Sequence, residues 1–527
     1  MKRILFFLSI FSAGTFLNAQ TVFQKAISIP FSANPYFDIS SISPCSDGGY
    51  IFSISSNYSE AGLMKTDANG AVLWSKKFIS DSAYVSPVSY CVGECTGGGY
   101  YFLGGDYESN YNFDNFFIKM DASGNTIWTK EFQANLAMEG TPSVFQEPNG
   151  DFLISTPGMV MGVTRLSSTG NVIYQKRFGV DPNNSTKVPP AGAAMGTDGG
   201  MLITSYMTGL GLVKTDASGN IQWTKDYNDN SFSSNYYPGG VVATSDGGFV
   251  ISGIDFMNND MFLIKVDASG TIIWRKLFSS VMQPEPTGLT QAPNGNLQVT
   301  GTDYYSGHGF AMQFDASGNF LSGGTIGDPN MQDIFFTSLA IHSCSDNGMI
   351  VGGLCENMTT STMATSIFKT DASGNLGCEY HPVILTDVSG SFALPVDAQT
   401  TVYQTNVTAV ANQQPIYAIT SSPIETDFCL LFSVNEQPEN GISLSAYPSP
   451  LASGENLHLN VSGIEGTSVI SIFDANGKVV KQLNQELPGN QNTTLEISTG
   501  DLSAGIYLVR ITGTDQQVLG MTKFIVR

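Results

Sequence analysis

The stretch GLMKTDANGAVLW, at residues 62–74, decides the fold because it recurs along most of the chain. Its seven copies begin at residues 62, 116, 162, 211, 262, 310 and 366. A second phrase precedes each copy and reads SDGGY at residues 46–50 in the first unit. Each unit also offers four strand-like runs separated by turns rich in Gly or Asp. A period of roughly 40 to 50 residues with four strands per unit is typical of a β-propeller blade.

The ends of the repeat region indicate how the ring closes. Residues 22–29, VFQKAISI, resemble the fourth strand of a unit, such as VLWSKKF at residues 72–78, whereas the last unit has only NLGCEYH at residues 375–381. We therefore predict an all-β fold with a seven-bladed β-propeller over residues 20–380, in which the N-terminal strand completes the last blade. The alternative is a solenoid of parallel coils, which predicts shorter coils and no closure device.

The recurring residues have structural reasons to be present. In the Asp-Ala-Ser-Gly-Asn turn the Asp carboxylate caps backbone N–H groups, and Gly supplies the positive φ that closes the hairpin. The aromatic residue seven positions after the Asp is expected to pack between adjacent blades. These blade-docking residues are Trp74, Trp128, Tyr174, Trp223 and Trp274. Units six and seven have Ser322 and Cys378 instead, which predicts looser docking of the last two blades.

Composition and the N-terminus indicate an exported protein. The 527-residue chain has 23 Lys and Arg against 45 Asp and Glu, a net charge of −22, which argues against nucleic acid or anionic membranes as partners. Residues 1–19 have the basic start, apolar stretch and small residues of a signal peptide, with cleavage predicted between Ala19 and Gln20. No Cys follows the cut to carry a lipid. No later segment is apolar for about 18 residues, so no transmembrane segment is predicted.

The C-terminal third divides into three parts. Residues 381–432 read as an irregular β extension without the repeat phrase, and residues 433–441 form a polar linker. Residues 442–527 alternate apolar and polar positions between Gly and Asn turns, which predicts a small antiparallel sandwich of about seven strands.

Both regions resemble known families. The repeat phrase resembles the tryptophan-docking repeats of quinoprotein-like propellers and the blade repeats of secreted Bacteroidetes proteins. Residues 442–527 resemble the type A C-terminal sorting domain of the type IX secretion system. The residues that carry the second resemblance as a sorting signal are Tyr447, Pro448, Pro450, Gly477, Gly505, Tyr507, Lys523 and Arg527. The alternative for this segment is a plain Ig-like binding module.

The second resemblance implies a partner and a route. It implies recognition by the type IX secretion machinery and export through the periplasm to the outer-membrane surface or the medium. The sorting domain is then removed, with either attachment to lipopolysaccharide or release.

The cysteines and histidines provide little catalytic chemistry. Seven cysteines are an odd number for an oxidising compartment, and we predict one disulfide, Cys378–Cys429, with Cys91 and Cys95 as a weaker candidate pair. The four histidines are far apart, and HExxH, CxxC and GxSxG motifs are absent. The quinoprotein resemblance does not extend to its cofactor, since seven units replace the usual eight and no adjacent Cys pair is present. We therefore predict no catalytic residue, metal site or cofactor.

Three hypotheses for function follow. The favoured one is a cell-surface or secreted, non-catalytic propeller that binds a glycan or protein or mediates adhesion. The alternative is an extracellular enzyme that degrades polysaccharide or peptide, with its site at the propeller channel. A third is an inert structural element. The aromatic stretch at residues 107–117 is either a sugar-stacking loop or a surface insertion.

Overall fold

The computed structural model contains two compact units, Met1–Phe432 and Ser433–Arg527. The structure describes residues 22–28, 38–56, 60–80, 85–108, 113–133, 142–156, 161–179, 190–207, 209–228, 236–255, 258–280, 282–303, 306–326, 335–357, 362–375, 380–389, 396–397, 403–407, 411–412, 416–421, 424–427, 443–447, 451, 454–473, 479–488, 493–500, 502–503, 505–513 and 518–526. Within these ranges the regular elements are β-strands, so the all-β fold class is confirmed.

The described residues of the first unit form 35 strands. In chain order they are β1 (Phe23–Ser28), β2 (Asp38–Pro44), β3 (Tyr50–Ser56), β4 (Glu60–Thr66), β5 (Val72–Ser80), β6 (Val85–Glu94), β7 (Tyr100–Glu108), β8 (Phe113–Met120), β9 (Thr126–Gln133), β10 (Ser143–Gln146), β11 (Phe152–Thr156), β12 (Met161–Leu166), β13 (Val172–Gly179), β14 (Pro190–Met195), β15 (Met201–Tyr206), β16 (Leu210–Thr215), β17 (Ile221–Asn228), β18 (Tyr236–Ala243), β19 (Phe249–Asp255), β20 (Asp260–Val266), β21 (Ile272–Ser279), β22 (Pro284–Gln291), β23 (Leu297–Asp303), β24 (Gly309–Phe314), β25 (Phe320–Ile326), β26 (Phe335–Ser343), β27 (Met349–Asn357), β28 (Thr362–Lys369), β29 (Tyr380–Pro382), β30 (Thr386–Asp387), β31 (Val396–Asp397), β32 (Tyr403–Val407), β33 (Ala411–Asn412), β34 (Ile416–Ser421) and β35 (Ile424–Asp427).

These strands form seven five-stranded antiparallel sheets. Their strand orders are β2-β3-β4-β5-β34, β6-β7-β8-β9-β33, β10-β11-β12-β13-β32, β14-β15-β16-β17-β31, β18-β19-β20-β21-β30, β22-β23-β24-β25-β29 and β26-β27-β28-β1-β35, here called sheets 1 to 7. The first strand of each sheet contacts the first strand of the next, and β26 contacts β2. The sheets therefore form a closed ring of the propeller type, with these first strands innermost.

The core of this unit lies between neighbouring sheets. Phe78 of sheet 1 and Phe102 of sheet 2 are buried, with ring centroids 4.6 Å apart, and Phe116 packs against Phe102. Similar apolar clusters join sheets 2 and 3, 3 and 4, 4 and 5, 5 and 6, and 7 and 1. Each large side chain buried in this way contributes about 2–3 kcal/mol, so the sheets are held together mainly by apolar contacts.

The N-terminal strand closes the ring. β1 pairs antiparallel with β28, with Phe23 opposite Lys369 and Ile27 opposite Thr365. Ile27 is fully buried in the cluster that joins sheets 7 and 1. β1 is thus the fourth strand of sheet 7, which confirms the closure predicted from residues 22–29.

The β segment predicted after the repeats forms a belt, defined here as β29–β35. Its seven strands add one outermost strand to each sheet, in the order sheet 6, 5, 4, 3, 2, 1 and 7. The β segment predicted after the repeats is therefore confirmed, and its strands extend the four-stranded units to five-stranded sheets. Sequence analysis does not identify the belt strands because they are short. In each pairing, the sheet edge that a belt strand covers supplies half of the backbone hydrogen-bonding groups.

The two faces of the ring differ. Because successive strands are antiparallel, the connections β2–β3 and β4–β5 and their equivalents lie at one face, here called the turn face. The connections β3–β4 and β5–β6 and their equivalents lie at the opposite face, the loop face. Connections at the turn face span five residues, such as those between β2 and β3, whereas connections at the loop face vary from three residues between β3 and β4 to ten between β13 and β14.

The second unit is a two-layered β-sandwich. Its strands are β36 (Ser443–Tyr447), β37 (Asn456–Ser462), β38 (Glu465–Phe473), β39 (Val479–Pro488), β40 (Thr493–Ser498), β41 (Gly505–Thr512) and β42 (Val518–Val526). They form sheets of order β36-β37-β40 and β39-β38-β41-β42. Leu459 of one sheet and Ile472, Val509 and Phe524 of the other are fully buried in one core. The predicted sandwich of about seven strands is confirmed.

Candidate functional site

The Asp turns at the turn face are structural. In sheet 2, Asp121 Oδ1 accepts hydrogen bonds from the backbone N–H groups of Ser123 and Asn125, both at 2.9 Å. Asn125 Nδ2 donates to Asp121 Oδ2 at 3.0 Å, and Gly124 has a φ of +75°. These hydrogen bonds, led by the one from Asn125 N–H, lower the pKa of Asp121. The carboxylate is thus used within its own turn.

A second set of contacts at the turn face, a recurring ion pair, joins the two repeated phrases. Sequence analysis did not predict it. The buried Lys65 amine lies 2.8 Å from Asp47 Oδ2 and donates to the Thr66 carbonyl at 2.8 Å. The equivalent pairs are Lys214–Asp198, Lys265–Asp246 and Lys369–Asp346, and in sheet 3 Arg165 pairs with Asp151, which lies two positions later in its phrase. The hydrogen bond from Lys265 lowers the pKa of Asp246 to about 2. The recurrence of Lys and Asp at fixed positions in both phrases was the signal available in the sequence.

The five docking aromatics each lie against the turn glycine of the next sheet. A Cβ added at Gly124 would lie 2.9 Å from the Trp74 ring, so only Gly fits there. Trp223 also donates its indole N–H to the Ala268 carbonyl at 2.9 Å. The other ring–glycine pairs are Trp128–Gly170, Tyr174–Gly219, Trp223–Gly270 and Trp274–Gly318.

Docking of the last two sheets differs from the prediction. The docking position of sheet 7 is occupied by Phe23, whose ring would lie 2.6 Å from a Cβ at Gly70. Assigning this position to Cys378 is wrong because β1, and not the end of the seventh unit, supplies the fourth strand. In sheet 6, Ser322 Oγ donates to the Ser373 carbonyl at 2.7 Å, so a single hydrogen bond stands where an aromatic ring docks elsewhere.

Four of the cysteines are free thiols. Cys45, Cys95 and Cys344 are buried at the same position of three units, directly before the second phrase, and Cys91 lies in β6. The candidate pair Cys91–Cys95 is therefore wrong, because an extended strand holds residues four apart too far away to bridge. Cys378 and Cys429 lie outside the described residues, so their disulfide stays a prediction.

We expect the three equivalent thiols to resist alkylation. Burial raises the pKa of Cys45 to about 12 and those of Cys95 and Cys344 to about 11, so little nucleophilic thiolate is present at pH 8. Peptide mass mapping after iodoacetamide treatment of the native protein should find all three unmodified. The same treatment in denaturant should modify all three, and rapid modification of the native protein would contradict their burial.

The loop face of sheets 4 and 5 carries a partly exposed aromatic pair. Tyr206 ends β15 and Tyr237 lies near the start of β18, and their rings are parallel, with centroids 4.5 Å apart and an interplanar angle of 11°. Tyr237 is 39% exposed, which distinguishes it from the other aromatic side chains of the described propeller strands. The hydrogen bond to the Tyr206 hydroxyl raises the pKa of Tyr237. The pair is thus a fixed, partly solvent-facing aromatic surface.

Polar side chains surround the neighbouring loop-face hairpins of sheets 5 and 6. Asn258 Nδ2 donates to Asp255 Oδ2 at 2.8 Å, and Asp303 Oδ1 accepts from the Gln283 backbone N–H at 2.9 Å. Burial raises the pKa of Asp260, and the nearby Asp255 carboxylate acts in the same direction. Across the described residues, no three His, Cys, Asp or Glu side chains are grouped to hold a metal ion.

The second unit places its motif residues around its core. The Tyr507 ring stacks on Phe524 with centroids 5.4 Å apart, and its hydroxyl donates to the Ser503 carbonyl at 2.8 Å. Gly505 begins β41 opposite Val526 of the terminal strand. Residues 445–527 match the family model described as "Secretion system C-terminal sorting domain". The second unit is a sorting domain.

The sorting domain establishes where the protein goes. It belongs to the type IX secretion system, so the protein interacts with that machinery and is exported to the cell surface or the medium. The described residues contain no helix with the length and apolar character needed to cross a membrane. The resemblance to a secreted propeller with a type IX sorting domain is confirmed.

The structure describes some of the predicted sorting-signal residues and not others. Tyr447 ends β36, is 44% exposed and stacks on His458 with ring centroids 5.3 Å apart. Lys523 lies in β42 opposite Leu508. Several predicted residues lie outside the described ranges, namely Ala19 and Gln20 of the signal cleavage and Pro448, Pro450, Gly477 and Arg527 of the sorting signal.

Comparison with solved structures adds little about function. A protein of unknown function from Bacteroides caccae is 11% identical, with a TM-score of 0.28, over 66% of this chain and 98% of its own. PorZ, a surface component of the type IX secretion system of Porphyromonas gingivalis, is 9% identical, with a TM-score of 0.29, over 94% of this chain and 82% of its own. Such low scores carry no argument about activity. No curated protein matches the chain.

Proposed function

We propose that the mature protein is a non-catalytic binding protein of the cell surface or medium, whose glycan or protein ligand binds the loop face. The observation that carries this proposal is the partly exposed Tyr206–Tyr237 pair at that face. The turn face offers less, because its repeated carboxylates are bonded within turns and to lysines. Rigid aromatic surface beside polar groups is typical of recognition sites.

An extracellular hydrolase is the second candidate, and one observation favours it. Asp255 and Asp260 are opposed carboxyl groups at the loop face, and the raised pKa of Asp260 suits a general acid. Both side chains are buried, however, and each is bonded within its own sheet, Asp255 to Asn258 and Asp260 to Ser279. Retention of a ligand is therefore better supported than its cleavage.

Array binding by the full chain tests the proposed function. The labelled protein is applied to glycan and matrix-protein arrays, and each retained ligand is incubated with it and weighed by mass spectrometry. We expect retention with no change in ligand mass. Cleavage products that disappear in Asp260→Asn would support the hydrolase, and silence on both arrays would contradict a binding role.

We also infer that the exported chain is processed at both ends. Signal cleavage between Ala19 and Gln20, and a cut between the last belt residue, Asp427, and the first sandwich strand at Ser443, would leave both folded units intact. Mass spectrometry of protein from outer membrane and medium should find these termini and any attached lipopolysaccharide. A chain ending at Arg527 in most molecules would show that the sorting domain is retained.

A further inference from the structure

The Tyr206–Tyr237 pair lies where two neighbouring sheets reach the loop face. Other aromatic contacts between the described sheets lie in the core, as for Phe78 and Phe102, or at its edge, as for Trp74 and Tyr100. Here the two rings are parallel at 4.5 Å and Tyr237 keeps 39% of its surface exposed. The contact between the rings fixes both side chains in advance, so little side-chain entropy is lost when a ligand covers them.

Glu285 occupies the position in sheet 6 that Tyr237 occupies in sheet 5. Tyr237 precedes Pro238, which pairs with Gly253, and Glu285 precedes Pro286, which pairs with Gly301. The two innermost strands also touch, because a Cβ at Gly239 would lie 1.8 Å from the Pro286 carbonyl oxygen. Tyr237 and Glu285 are therefore at the same level of adjacent sheets, whose spacing is typically about 10 Å.

The chemistry of the Tyr237 ring and the Glu285 carboxylate indicates the class of ligand. A flat aromatic face attracts the weakly positive C–H groups of a saccharide ring, and a carboxylate accepts hydrogen bonds from its hydroxyls. The Glu285 side chain is half-buried, so a hydrogen bond to it competes less with water than one to an exposed carboxylate. The net charge of −22 disfavours acidic polysaccharides.

We propose that Tyr206 and Tyr237 form the stacking platform of a subsite for neutral saccharides, with Glu285 as the acceptor for ring hydroxyls. This inference rests on the proposed function and specifies its ligand class and position. A short oligosaccharide that stacks on Tyr237 reaches the neighbouring sheet and Glu285. The platform binds a ring face and not a reducing end, so internal residues of a longer chain fit equally well.

Titration of the full chain with neutral hexasaccharides tests the subsite. The probes are cello-, laminari-, manno- and xylohexaose, measured by calorimetry, with hexagalacturonate as the acidic comparison. We expect at least one neutral probe to bind and the acidic probe to bind at least tenfold more weakly. Tyr237→Ala should weaken binding about tenfold, and Tyr237→Phe, which keeps the ring, should weaken it less than threefold.

Tyr447→Ala is the matched control because Tyr447 is also exposed and stacked, but in the sorting domain. We expect it to bind as the unaltered chain does. If Tyr237→Ala lowers the melting temperature, Glu285→Ala is the deciding variant. We expect it to weaken saccharide binding at least fivefold. Equal affinities for Tyr237→Ala and Tyr447→Ala, or no binding of any neutral probe, would overturn the subsite. Ligands still retained on the arrays in that case would leave the proposed function standing.

Discussion

Removing the belt is expected to abolish cooperative folding of the propeller. A chain of residues 20–377 lacks β29–β35 and leaves seven sheet edges unpaired, one at each outer strand. Unpaired edges recruit strands from other molecules, and each lost backbone hydrogen bond costs about 1 kcal/mol. We expect aggregation in size-exclusion chromatography and no sharp thermal transition. A chain of residues 20–432, which keeps the belt and lacks only the sorting domain, should be monomeric and melt cooperatively.

Two adjacent residues next to β30 test the contact between the belt and the sheets with single substitutions. Leu385 is 9% exposed and packs into the cluster between sheets 5 and 6, whereas Ile384 is 85% exposed. We expect Leu385→Ala to lower the free energy of unfolding by about 2–3 kcal/mol and Ile384→Ala by less than about 0.5 kcal/mol. Equal stability of the two variants, or a well-folded chain of residues 20–377, would show that the belt does not hold the ring.

Ile27→Asp is expected to open the ring at its closure. Ile27 is fully buried between sheets 7 and 1, and β1 pairs with β28 on one side and with β35 on the other. A carboxylate placed there has no partner among the apolar neighbours of this cluster. We expect a loss of about 4 kcal/mol or more in the free energy of unfolding, measured by urea denaturation.

Val22→Asp is the matched control for the closure strand. Val22 directly precedes β1 and is 42% exposed, so the same charge there remains solvated. We expect a change below about 0.5 kcal/mol. Limited proteolysis of Ile27→Asp should cut first in the residues next to β1. A variant as stable as Val22→Asp would show that the ring does not depend on this strand.

Much of the fold was predictable because each repeat unit contains the residues that form its own turns. The Asp of each repeated turn, or Ser167 in sheet 3, and its Gly act within five residues, as Asp121 and Gly124 do, so the local sequence determines those hairpins. The alternation of the last residues likewise predicted the sandwich of the sorting domain. The sorting-domain motif also indicated export, because its signature lies in a continuous stretch of sequence.

The candidate site was not predictable in the same way. Tyr206 and Tyr237 belong to different units, 31 positions apart, and nothing in the sequence of either unit indicates that their rings meet. The aromatic stretch at residues 107–117 includes residues 109–112, which lie outside the described ranges. The sequence shows where aromatic residues occur along the chain, but it does not show which residues they contact in the folded protein.

The sequence by itself determined the repeat, its turns, the closure strand and the destination of the protein, because these depend on residues close together or on a motif that recurs. Tertiary structure alone decided the belt, the docking role of Phe23 and the aromatic pair at the loop face. These features depend on contacts between distant segments, such as Ile419 of the belt opposite Lys77 of sheet 1. Such pairings follow from which edges the closed ring leaves open, and that is a property of the assembled sheets.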